Sequence, residues 1–192
     1  MSEWDSASGS RELKMKSLSR LVPDYDYSGE DTAHRTDENF CRLVMQNLSD
    51  TRGVMFNILQ TAFELHRDLL IREFERVRDE MEVFSDEIKA RAFSWDPNKS
   101  HKWLGRLVDY DFRILSELGN LRKDVGILHS ELLDSGPSLR DARHLDSHAS
   151  DIKKKLDSII VKFREREVVC NISEEVLERT FDSIRARIAK GV

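Results

Sequence analysis

Apolar residues recur at helical spacing along most of this chain. Between residues 70 and 88 they alternate at intervals of four and three residues, which is the heptad pattern of packed helices. The positions are Leu70, Phe74, Val77, Met81, Phe84 and Ile88. We call this set the 70–88 stripe. Residues 40–71 are apolar over a wider arc, which is typical of a helix that is covered on more than one side.

The same region lacks the residues that usually stop a helix. No proline occurs between Tyr25 and Asp96, and proline is the strongest helix breaker. The pattern therefore predicts one very long helix from about residue 36 to residue 95. We expect Thr36 to cap its first turn, and we expect any kink or restart at Gly53.

Two further stripes of apolar positions follow after Pro97. The second helix is predicted to end near Asp134, and its stripe comprises Leu104, Leu107, Asp111, Ile114, Leu118, Leu121, Val125, Leu128 and Leu132. The turn at 135–138 is short, so the third helix should fold back antiparallel on the second. Its stripe comprises Ala142, Leu145, Ala149, Ile152, Leu156, Ile159 and Phe163. Ser173 is predicted to cap a short fourth helix.

Together these patterns predict an all-α fold. We expect an elongated antiparallel helical bundle or coiled coil with one very long helix, two medium helices and a short C-terminal helix. Residues 1–35 are predicted to be disordered or loosely structured, with a short basic amphipathic stretch at 11–22. Residues 36–192 are predicted to form the helical bundle domain.

Composition narrows the classes of function. Charged residues make up 35% of the chain and the net charge is −5, with both signs interspersed. Binding to nucleic acid draws on clustered positive charge, so this class is disfavoured. Two isolated cysteines are typical of reduced thiols in an intracellular protein. No apolar run approaches the roughly 20 residues of a membrane span, and no signal peptide is visible. We expect a cytoplasmic protein.

Asp111 is the sharpest departure from the pattern, because a carboxylate occupies an apolar position of the second stripe. We favour the interpretation that this position lies near a solvated end of the bundle. The alternatives are a polar marker that fixes helix register through a cationic partner, and, least favoured, a catalytic role. We expect Asp111→Leu to be tolerated or stabilising, because leucine in an apolar position removes the cost of desolvating a carboxylate.

A second candidate is a row of metal-binding residue types on the third helix. Asp141, His144, His148 and Asp151 follow one another at intervals of three, four and three residues. Two histidines four residues apart on a helix can share a metal ion. A metal site in a bundle, however, normally takes ligands from facing helices. We therefore interpret this row as a solvated flank and predict no metal and no cofactor.

No catalytic or nucleotide-binding motif is present, so we expect no enzyme activity. The sequence favours a non-enzymatic coiled-coil interaction or assembly subunit, a scaffold or adaptor, that acts through helix–helix contacts. Its expected partner is another protein or a second copy of the chain, and the 70–88 stripe is the predicted partner interface. The alternative is a membrane-associated module anchored by residues 11–22. A metal-binding bundle is less favoured.

Overall fold

The protein is all-α in the residues that its structure, a computed structural model, describes. The described residues are 3–94, 101–134 and 139–171. Within them, the side chains of residues 3–10, 101–102 and 139–142 are not described. The described residues form five helices and no strand. The helices are α1 (Glu3–Leu21), α2 (Glu30–Glu64), α3 (Asp68–Ala90), α4 (His101–Asp134) and α5 (Leu139–Asn171). The packing is that of a helical bundle, as the apolar stripes predict.

The predicted very long helix is two helices, and the break does not fall at Gly53, where we expected any kink or restart. Gly53 lies inside α2, whereas the break falls between Glu64 and Asp68. His66 adopts a left-handed conformation with φ of 54°. The amide of Arg67 donates to the carbonyl of Ala62 (2.8 Å), and that of His66 donates to the carbonyl of Phe63 (3.1 Å). These two bonds form a Schellman motif, which ends α2 with histidine where glycine is usual.

The beginning of this region also differs from the prediction. Helix α2 begins at Glu30, six residues before Thr36, so Thr36 is an interior residue of the helix. The carbonyl of Gly29 accepts the amide of Ala33 at 2.8 Å and closes the first turn. Glu30 and Asp31 lie in that turn, where negative charge is favourable.

Residues 11–35, expected to be loosely structured, are partly helical and partly buried. Leu18, Val22, Tyr25 and Tyr27 have at most 6% of their surface exposed. The basic stretch lies in α1, where Lys14 forms an ion pair with Asp109 of α4 at 2.7 Å. The N-terminal region therefore contributes side chains to the core, in contrast to the tail that the sequence predicts.

The described chain forms two compact units. Unit one comprises residues 3–40, 92–94, 101–112 and 163–171, and unit two comprises residues 41–91, 113–134 and 139–162. Unit two contains one segment from each of the helices α2 to α5. Each unit has its own buried apolar side chains.

The 70–88 stripe is part of the core of unit two. All six of its side chains are at most 3% exposed within a single chain. The heptad pattern thus identifies a buried surface, and packing within one chain accounts for it without a partner. The assignment of these residues to a partner interface remains a prediction.

Helices α4 and α5 pack antiparallel in unit two, as the short connection predicts. Three contacts between an acidic and a basic side chain repeat every seven residues along both helices, in opposite directions. The pairs are Glu117–Lys162, Asp124–Lys155 and Glu131–His148. The apolar stripes between them are buried from Ile114 to Leu132 and from Leu145 to Phe163. These heptad-spaced contacts between the two helices therefore define the register of this helical hairpin.

Two sequence predictions lie outside the described residues. They are the turn at 135–138 and the short C-terminal helix after Ser173. In the described ranges, no helix is both long enough and apolar enough to cross a membrane.

Candidate functional site

The centre of unit one is a fully buried arginine. Arg166 of α5 has 0% of its surface exposed. Its Nη1 donates to Oδ1 of Asp37 at 2.9 Å, its Nη2 donates to the hydroxyl of Tyr27 at 3.0 Å, and its Nε donates to Oδ1 of Asp111. A buried charge is tolerated only where it is paired and hydrogen-bonded. This guanidinium meets that condition on all three of its nitrogens.

Asp111 is the counterpart of Arg166 on α4. Its Oδ2 accepts the hydroxyl hydrogen of Tyr25 at 2.7 Å and that of Tyr27 at 3.1 Å. Asp111 is 0% exposed, so the interpretation that it lies at a solvated end is wrong. The alternative of a polar marker with a cationic partner describes the observed contact.

The ring of Phe40 completes the surroundings of the guanidinium, with Cζ of Arg166 4.3 Å from the ring centroid. This distance is within the range of a cation–π contact. We call Tyr25, Tyr27, Asp37, Phe40, Asp111 and Arg166 the arginine network. It links α2, α4 and α5 with the segment between α1 and α2.

A separate set of hydrogen bonds holds the two tyrosines in place. The hydroxyl of Thr36 accepts the amide of Asp26 at 2.8 Å and donates to the carbonyl of Asp24, also at 2.8 Å. The side chain of Asn39 donates to the carbonyl of Pro23 at 3.0 Å. Asp24 takes a left-handed backbone conformation, with φ of 53°. Residues 23–26 are therefore fixed to α2, which directs Tyr25 and Tyr27 toward Asp111.

Burial and neighbouring charge alter the protonation of this network. Burial, reinforced by the charge of Asp111, raises the pKa of Tyr25 and that of Tyr27 well above 10. Burial also raises the pKa of the Cys170 thiol to about 12, although Arg166 opposes the shift. For Arg166 itself, burial favours the neutral form, but Asp111 and its other neighbours, Asp37 among them, together outweigh burial and raise the pKa. Arg166 is therefore a permanent cation, and the hydroxyls of Tyr25 and Tyr27 keep their protons.

These shifts predict a loss of stability in alkali. Above pH 9–10 the unfolded chain releases the protons of Cys170, Tyr25 and Tyr27, whereas the folded chain retains them. The free energy of unfolding should therefore fall as the pH rises from about 9 toward 12. Urea unfolding between pH 8 and pH 11 measures this slope, and Tyr25→Phe should make it shallower. An equal slope in the parent and in this variant would contradict the prediction.

Asp37, Glu167 and Cys170 converge closely enough to resemble a set of metal ligands. Nη1 of Arg166 already lies among them, at 2.9 Å from Asp37, 3.1 Å from Glu167 and 3.6 Å from Sγ of Cys170. The guanidinium thus takes the place and the charge that a metal ion would have. The raised pKa of Cys170 also disfavours the thiolate that binds metals.

The histidine row lies beside α4 in unit two. Nδ1 of His148 is 2.9 Å from Oε2 of Glu131, and Nε2 of His144 is 3.5 Å from Oε1 of the same carboxylate. The hydrogen bond with His148 lowers the pKa of Glu131. Asp151 instead pairs with Lys154 at 2.9 Å, and the side chain of Asp141 lies outside the described residues. The structure therefore brings His144 and His148 of the row together at one carboxylate, that of Glu131 on α4.

The basic stretch at 11–22 is divided between the core and solvent. Leu18 and Val22 are buried, whereas Leu13 and Leu21 are exposed. The stretch therefore presents two apolar side chains outward, and its role as a membrane anchor remains a prediction.

One side of α2 in unit two is apolar and uncovered. Phe56 and Phe63 are 68% and 73% exposed, and the half-buried Leu59 lies between them on the same face of the helix. We call these three residues the α2 outer face. The adjoining side of this helix is buried through Met55, Ile58 and Ala62. The wide apolar arc that the sequence shows is thus covered on one side only.

The composition around this face differs from that of the rest of the chain. Residues 53–63 contain no Asp, Glu, Lys or Arg, although such residues make up 35% of the sequence. A solvated helix face normally carries charge, whereas the cores of protein interfaces are depleted in charge and enriched in aromatic residues. The α2 outer face therefore has the composition of an interface core.

The sequence analysis missed most of the arginine network, although a signal was present. Arg166 and Cys170 continue the stripe of α5 beyond Phe163 at intervals of three and four residues. Opposite charges at stripe positions of two antiparallel helices are candidates for a buried pair, so Asp111 and Arg166 could have been matched. The tyrosines and Asp37 carry no such signal.

Compared with protein families, with curated proteins and with solved structures, the chain matches none of them.

Proposed function

We propose that this protein is a non-enzymatic interaction and assembly subunit of the cytoplasm, acting through helix–helix contacts. The observation that carries the proposal is the α2 outer face, with two phenylalanines more than two-thirds exposed. Full burial of one such side chain is worth about 1.5–3 kcal/mol. An uncovered aromatic stripe without charge is therefore a favourable binding surface for another helix.

The arginine network supports a structural role for the polar core of unit one. The described hydrogen-bonding atoms of Arg166 and Asp111 are occupied by partners within the chain, and both side chains are fully buried. Such a network stabilises one arrangement of helices and offers no reacting atom to a substrate. The proposal therefore places activity at the surface of unit two.

The occupant that we propose for the α2 outer face is a second copy of this chain. The segment from Phe56 to Phe63 reads Phe-x-x-Leu-Gln-x-x-Phe, a pattern that is nearly the same in both directions. A two-fold antiparallel pairing would bring Phe56 of one copy against Phe63 of the other. Because residues 53–63 carry no charge, this pairing brings no like charges of the run together, despite the net charge of −5.

The test is the double variant Phe56→Ser, Phe63→Ser. Both side chains are exposed in the single chain, so helicity and melting temperature should change little. The molar mass from light scattering should exceed the 22.4 kDa of one chain in the parent protein and fall to it in the variant.

Val83→Ser provides the matched control, because Val83 is 66% exposed on α3 and lies outside the α2 outer face. Its mass should equal that of the parent. A monomeric parent, or an assembly that persists in the double variant, would show that this face does not hold a second copy.

A further inference from the structure

Glu131, His144 and His148 lie together on the surface of the α4–α5 hairpin in unit two. They combine two imidazoles with one carboxylate, which is a donor set found in zinc sites that keep an open coordination position. We propose that these three side chains form a binding site for Zn²⁺. This site is independent of the α2 outer face.

The carboxylate of Glu131 lies close to a donor atom of each histidine. Zinc binds nitrogen and oxygen at about 2.0–2.2 Å, so two ligands of a tetrahedral ion lie about 3.4 Å apart. The separations to the Glu131 carboxylate are 2.9 Å from Nδ1 of His148 and 3.5 Å from Nε2 of His144. The two histidines contact different oxygens of this carboxylate, so a rotation of the His144 side chain is needed before all three residues can share one ion.

The surroundings allow that movement. The His144 side chain is 67% exposed and can rotate, whereas His148 is 20% exposed and is held against α4. The ring centroids of the two histidines are 6.3 Å apart, as expected for residues four positions apart on one side of a helix. The fourth position of the ion would face solvent and take a water molecule.

The structure removes the reason for which the sequence argued against a metal. One helix supplies too few ligands, and a bundle site draws them from facing helices. Glu131 supplies the missing ligand, because the heptad register of α4 against α5 places it opposite His148. The two imidazoles favour zinc and its transition-metal neighbours over Mg²⁺ and Ca²⁺, which prefer oxygen ligands.

Isothermal titration of the metal-free, full-length protein with ZnCl₂ tests the site. We expect one ion per chain, with a rise in melting temperature that EDTA reverses. His148→Gln and Glu131→Gln should each weaken binding by about 10- to 100-fold, at least the loss seen when a second-shell partner is removed. His129→Gln on α4 is the matched control and should bind as the parent does. Because the first two variants also break the contact between Glu131 and His148, the comparison uses the zinc-induced shift of the melting temperature within each variant.

Cobalt substitution identifies which residues hold the ion. Co²⁺ at the proposed site should show the visible bands of tetrahedral nitrogen and oxygen coordination, without a thiolate charge-transfer band. A thiolate band that Cys170→Ser abolishes would place the metal at Cys170 and overturn the proposal. The absence of stoichiometric zinc binding, or unchanged affinity in both His148→Gln and Glu131→Gln, would overturn it as well.

Discussion

Replacing both Val77 and Phe84 by aspartate should unfold unit two. These side chains are 0% and 1% exposed inside the chain. Each substitution buries an unpaired carboxylate, at a cost of several kcal/mol, and loss of the phenylalanine adds about 3–5 kcal/mol. The total reaches the 5–15 kcal/mol that stabilises a typical domain. Circular dichroism should show a large loss of helicity, together with a changed hydrodynamic size.

Val83→Asp is the control on the same helix. Val83 is 66% exposed, and surface substitutions usually change stability by no more than about 0.5 kcal/mol. The outcome for the double variant also tests the partner assignment of the 70–88 stripe. A protein that keeps its helicity but dissociates would show that the stripe packs between chains, in contradiction of the burial seen here.

Arg166→Met should lower the free energy of unfolding by about 3–5 kcal/mol, because Asp37 and Asp111 then remain buried without their cation. The midpoint of urea unfolding measures this loss. Asp111→Leu should also destabilise the protein, since it leaves the guanidinium and two tyrosine hydroxyls without their acceptor. This expectation replaces the tolerance that the sequence suggested.

The combined variant Asp111→Leu, Arg166→Met shows whether the two residues stabilise the protein as a pair or independently. If the two residues are coupled, the combined loss should be smaller than the sum of the two single losses. Arg113→Met, on the exposed side of α4, is the control for removing an arginine and should be nearly neutral. Additive losses in the combined variant would mean that Arg166 and Asp111 do not stabilise unit one as a pair.

The heptad stripes could be predicted because they depend on local periodicity. Residues three and four apart share one side of a helix whatever the helix packs against. The 70–88 stripe, the stripes of α4 and α5, and the antiparallel course of those helices are all visible in the order of residues. The function of each stripe is less visible, because periodicity shows that a side is buried without showing what buries it.

The break after α2 could not be predicted from residue types. Neither glycine nor proline marks it, and the left-handed residue is His66. A left-handed conformation at a residue other than glycine costs about 1–2 kcal/mol. Packing of α3 in the core of unit two offsets this cost, and such packing is not expressed in local propensity.

The sequence by itself determined the helical content, the positions of the stripes and the pairing of α4 with α5, because these follow from spacing and from a short connection. The tertiary structure alone decided that Asp111 binds Arg166, that Glu131 lies between His144 and His148, and that Phe56 and Phe63 remain uncovered. Each of these depends on which sides of the helices meet. Burial and charge pairing arise between residues distant in sequence, so their energies are set only once the helices have packed.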